Sequence, residues 1–241
     1  MRKLIFITLV AVMCSCIATA HTKETVSSNN RLPVESIFYS AMFDTVCATK
    51  TNFKINPNWV NELKQRLPTW KTLWNKEGTL LLKTTTQLIS RPFAQQNFQV
   101  AVSLCSFPSM SAPLIVNARY TLKSFTDHTI SDDVFISNIY HEILHNYLDY
   151  FLPRNTPLLE KYKNESKGVL NHLHLLALEK AVYLQLGWES KLNDIIEKDG
   201  ILPNKDYKRA WEILNKNDNY KNFITELKKF NSSKVVYPNE I

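Results

Sequence analysis

His141-Glu142-Ile143-Leu144-His145 is the segment whose residue types and spacing could do chemistry. Two histidines four apart lie one turn apart on the same face of a helix, so both imidazoles can reach one ion. Neutral imidazole nitrogen suits zinc, and a catalytic zinc site takes three protein ligands and keeps one position for water. Glu142, one residue on, would stand beside the ion. There it could take a proton from the zinc's water and pass it to a leaving amine. The chemistry so implied is hydrolysis of a peptide bond. The competing explanation is a pair of surface or packing histidines, and the motif's place in the middle of a capped helix argues against it.

The elements that must position this motif can be read on either side of it. Ser131, Asp132 and Asp133 supply an N-cap and acids in the first turn, where the helix dipole favours them. Phe135, Ile139, Leu144 and Leu148 carry the helix forward, and Pro153 stops it. A second helix spans about 169–186 and is closed by Gly187. The segments 188–196 and 207–230 read as shorter amphipathic helices. Ahead of the motif, 98–104 and 114–122 alternate and are β-rich, with a turn-prone link at 108–113, and predict two neighbouring antiparallel strands. Further upstream, Val34, Ile37, Phe38, Ala41 and Met42 keep helical spacing. Asn56-Pro57 opens a helix carrying Trp59, Leu63, Leu67, Trp70 and Trp74, which Pro68 should kink or restart. The three tryptophans read as core packing, and 80–89 fits helix or strand equally.

The five motif residues resemble those of the zinc metallopeptidases of the zincin superfamily, and the small sheet ahead of the motif helix is similar to their order of elements. The resemblance implies an α+β fold, mostly helical, with a small antiparallel sheet preceding the motif helix. It implies one zinc ion held by His141 and His145, with Glu142 as general base and acid. The extension typical of metzincins is absent, because 146–151 contains neither glycine nor histidine. A carboxylate from a second helix, as in gluzincins, is the remaining common third ligand. Glu179, in the apolar stretch 170–182, is favoured, since an acid there is costly unless paired or bound to metal. Glu165, twenty residues after His145, has a thermolysin-like spacing but a polar, loop-like setting. His172 precedes Glu179 by two turns and shares its face; it could donate to a developing oxyanion or be the third ligand itself. His174 lies on another face and reads as structural. Asp149, one turn after His145, could orient a ligand histidine or be simply solvated. The strand 114–122 is the expected substrate-binding edge, with Asn117 and Arg119 as contacts.

The rest of the composition bounds the answer. The four glycines, Gly78, Gly168, Gly187 and Gly200, are too dispersed for a dinucleotide fingerprint, a phosphate-cradling P-loop or an esterase nucleophile elbow. The formal charge of +7 is spread over faces where lysines alternate with acids, which argues against a nucleic-acid partner. Arg2 and Lys3, an apolar run over 4–17 and the small residues Ala18 and Ala20 describe a signal peptide, 1–20. A lipid anchor at Cys16 ranks second, because Met13 and Cys14 fit such a signal poorly. No other apolar stretch is long enough to span a bilayer. A polar leader at 21–31 and a single domain over 32–241 would follow, periplasmic or secreted, with Cys47 and Cys105 left to form a disulfide where the compartment allows it. The expected partner is a peptide or protein substrate. A non-catalytic zinc-binding envelope protein is the rival, although a purely structural site has no use for Glu142.

Overall fold

Strand β1 (Val34–Tyr39) and helix α1 (Ala41–Thr51) stand where the apolar spacing of 33–47 predicted one helix. The three-and-four spacing straddles two elements. Val34, Ile37, Phe38 and Tyr39 suit a strand, and Ser40 ends it by capping α1, its Oγ accepting from the Phe43 N–H at 3.3 Å. The computed structural model describes residues 32–232, so the expected signal peptide and leader lie outside the described residues.

The sheet has the order β1-β2-β4-β3, with β2 at Asn97–Ser103, β3 at Met110–Ser111 and β4 at Leu114–Asn117. β1 pairs with β2 in parallel along the whole length of β1, Ile37 opposite Val100. β2 and β4 are also parallel, Val102 opposite Val116, which corrects the antiparallel pairing expected of them. The turn-prone link does make a hairpin, but between β3 and β4, Met110 opposite Ile115. That short extra strand reverses the chain once more, so β4 re-enters beside β2 in the same direction. β4 is flanked on both sides and is not an edge for substrate. It also stops at Asn117, ahead of a 3₁₀ turn over Arg119–Thr121. The two expected contacts are occupied within the fold. Asn117 Nδ2 donates to the Cys105 and Phe107 carbonyls at 2.9 and 2.6 Å. The Arg119 guanidinium is buried over the rings of Phe53, Tyr120 and Phe125. A disulfide joins Cys47 of α1 to Cys105 just after β2, Cα atoms 6.2 Å apart.

Pro68 does not break its helix. α2 (Pro57–Leu73) runs through it into a π-helical turn, Trp74–Gly78, and on into α3 (Thr79–Ile89). An interior proline costs about 3 kcal/mol. Leu63, Trp70 and Trp74 are buried on both sides of it, each contributing about 1.5–3 kcal/mol, so packing outweighs the lost hydrogen bond. The tryptophans therefore do serve the core at 70 and 74, while Trp59 is half-buried, its indole donating to the Ser124 carbonyl at 3.0 Å. The remaining helices are α4 (Asp132–Asp149), α5 (Pro157–Lys161), α6 (Lys167–Gln185), α7 (Glu189–Ile201), α8 (Asp206–Asn215) and α9 (Tyr220–Ser232). The fold is α+β, a mixed sheet with helices, and α4 and α6 lie at its centre with most of their residues buried. No helix among the described residues is long and apolar enough to cross a membrane.

Candidate metal centre

α4 carries the motif and is held at both ends of its first turn. The Ser131 hydroxyl accepts from the Val134 N–H at 3.2 Å. Asp132 accepts from the Trp70 indole at 2.8 Å and pairs with Arg66, tying the helix start to α2. Phe135, Ile139, Tyr140, Ile143 and Leu144 are completely or nearly completely buried, which fixes the rotation of the helix about its axis. That rotation leaves His141 and His145 facing α6.

α6 meets this face with His172. One ring nitrogen from each of His141, His145 and His172 lies within 4.8 Å of the others, a group that could hold a metal ion. The ring centroids are 5.0 Å apart for His141 and His145, 5.4 Å for His141 and His172, and 5.3 Å for His145 and His172. The hydrogen bonds at the backs of the rings suit that role. His172 Nδ1 donates to the Gly168 carbonyl at 2.7 Å, which sets its tautomer and leaves Nε2 with a lone pair. His141 Nδ1 faces Glu179 Oε2 at 3.4 Å. Burial drives all three imidazoles below the ordinary histidine range, His141 and His145 to about 3, and for those two the neighbouring imidazoles add to the effect. They stay neutral, the form that ligates metal.

The third histidine is thus the residue brought to the pair, and Glu179 takes a different place from the one expected of a ligand. It lies behind His141, fully buried, with Ser137 Oγ donating to it at 3.3 Å. Burial raises its carboxyl to about 8, helped by Asp199. Its contact with His141 is a long hydrogen bond between groups whose charges burial disfavours, rather than an ion pair. Glu165 is elsewhere: it grips the Arg209 guanidinium, the closest contact 2.6 Å. Asp149 is exposed at the end of α4. His174 is structural as expected, buried with Nε2 2.7 Å from Glu226 Oε2 on α9. Glu142 is buried beside His141, and burial raises its carboxyl to about 8 against the opposing effect of Lys198.

Two residues of the site went unnoticed in the sequence. The Tyr207 hydroxyl lies 3.4 Å from His141 Nε2, and its ring packs 4.3 Å from that of His172. Lys198 Nζ donates to Asn138, one turn before Glu142, at 3.1 Å and to Asp199 at 3.0 Å. Both come from the amphipathic helices after α6, and no local spacing relates them to the motif. α8 is clasped to α6 by two contacts beside Tyr207: Ser166 Oγ donates to Asp206 at 2.6 Å, and Arg209 binds Glu165. Gly168 permits this approach, since a Cβ there would fall 1.9 Å from Asp206 Oδ2. Comparison with known protein families, curated proteins and solved structures finds no match for this chain.

Proposed function

We propose that the protein is an exported, zinc-dependent hydrolase of peptide bonds. The observation that carries this is three converging imidazoles with a buried carboxyl group, Glu142, next to one of them. Three imidazoles leave a tetrahedral ion one position for water, the arrangement of a catalytic rather than a structural site. Thiolate ligands, which structural zinc sites favour, are absent from the group. When bound, zinc supplies Lewis acidity and a water acidic enough to react near neutral pH. In its ionised form Glu142 accepts the proton of the attacking water and returns it to the amine as the C–N bond breaks. Tyr207 donates its hydroxyl hydrogen to the oxygen on which negative charge develops. Glu179 accepts from His141 Nδ1 and holds that ring in the tautomer whose Nε2 is free. Export is supported by the pattern of 1–20 and by the Cys47–Cys105 disulfide, which an oxidising compartment preserves.

A peptide-library digest with the wild type and Glu142→Gln tests the reading. Both proteins should carry about one zinc per chain, since Glu142 is not a ligand. Cleavage should fall by at least about a hundredfold in the variant. Equal cleavage by the two proteins contradicts the role of Glu142. A zinc-loaded wild type that cleaves nothing favours the non-catalytic zinc-binding protein.

A further inference from the structure

A cleft of about 440 Å³ opens beside the metal centre, between the end of α4 and the start of α6, with α5 on its far side. His145 lines the cleft and also belongs to the histidine group, so the two adjoin at that residue. The volume falls in the range of small-ligand sites. Its floor is apolar, formed by Leu148, Leu152, Leu159 and Leu170. Two cations stand in its lining, Arg154 from the loop after α4 and Lys167 from the first turn of α6. Both are exposed, and neither has an ion-pair or hydrogen-bond partner among the described residues. Asp149 is the acid of the lining, so the cleft keeps an excess of one positive charge.

We propose that this cleft is a substrate subsite for a peptide residue that presents a carboxylate, seated on the leucines with its charge between Arg154 and Lys167. The proposal rests on the peptide-hydrolysing reading of the adjoining centre and names the substrates that centre takes. An apolar floor suits the aliphatic part of a residue, and a guanidinium with an ammonium suits a planar carboxylate. Asp149 opposes a more highly charged group such as a phosphate. The carboxylate has two sources, the side chain of an acidic residue or the C-terminus of the peptide. The net positive charge of the whole chain also favours encounter with acidic peptides.

Equilibrium binding separates these sources. Three peptides with a neutral coumarin label are titrated against zinc-loaded Glu142→Gln protein by fluorescence anisotropy. They end in Leu-Gln-amide, Leu-Glu-amide and Leu-Gln with a free carboxylate. At least one carboxylate peptide should bind about three- to tenfold tighter than the neutral one, a preference that fades in high salt. The double variant Arg154→Ala/Lys167→Ala, altered only at exposed positions, should lose that preference and bind the neutral peptide as before. Equal affinity for all three peptides, binding of none, or a preference that survives the double variant overturns the subsite. Turnover does not enter this readout. A protein that shows the preference in binding, while its wild type cleaves nothing, defeats the hydrolase reading and leaves the subsite standing.

Discussion

His172 and Glu179 share a face of α6, yet they serve the histidine pair differently. Seven helical residues separate them by about 10 Å along the axis, so they cannot both reach one ion. α4 runs antiparallel to α6 here, placing His172 level with His145 and Glu179 level with Ser137. Periodicity reveals the shared face, but the relative slide of two helices is a tertiary quantity. Hence His141, Glu142 and His145 were legible as a unit, while the choice among Glu179, Glu165 and His172 was not. The cost of an acid in an apolar helix correctly required Glu179 to have a partner, and the partner is an imidazole. Tyr207 makes the separable prediction at this scale. Tyr207→Phe should keep its zinc and lower kcat by about ten- to a hundredfold, read from steady-state kinetics beside metal content. Unchanged kcat would remove the tyrosine from the chemistry.

Helices with local signals were legible as elements. The caps Ser131 and Asn56 and the terminator Gly187 all act within a few residues of the ends they mark. β1 and the direction of β4 were not, because both depend on pairing with β2, many residues away. Pro68 misled for the same reason: burial of Trp70 and Trp74 overrides a local penalty. Glu165 shows how an element can serve a site without touching it, since its grip on Arg209 holds α8 where Tyr207 meets His172. Glu165→Ala should therefore leave zinc stoichiometry unchanged, whereas a ligand would lose the ion. Gly168→Ala sets a helix-propensity gain of about 1 kcal/mol against an overpacking cost of about 1–3 kcal/mol. The protein should fold, with its melting temperature moved by a few degrees, while turnover falls as α8 shifts. Turnover unchanged from the wild type would show that the clasp does not position Tyr207.

At the scale of the molecule, the buried ionisable groups make stability depend on pH outside the metal centre as well as in it. Glu35 on β1 has a buried carboxylate oxygen, Oε1, with no hydrogen-bond partner, and burial raises its carboxyl from 4.5 to about 7 despite the Trp74 indole. The folded chain holds that proton more tightly than the unfolded chain. Its contribution to stability is thus fully present below about pH 4.5 and lost as pH rises through about 7. Glu35→Gln should melt with the wild type at pH 4 and a few degrees above it at pH 8, a gain of about 1–2 kcal/mol once partial exposure is allowed for. Parallel melting curves across that range would show that Glu35 is ionised without cost. The disulfide and the spread of positive charge act at this scale too; the charge was visible in the sequence, whereas pairing Cys47 with Cys105 needed the fold to bring them together.

Zinc stoichiometry of His172→Ala against Glu179→Ala, after equilibration with a competing chelator, tests the metal centre most directly. The proposed zinc centre predicts about one zinc in the wild type and none retained by His172→Ala. Glu179→Ala should still bind, with affinity weakened by about ten- to a hundredfold through loss of the His141 hydrogen bond. Zinc lost from Glu179→Ala and kept by His172→Ala would contradict the three-histidine centre.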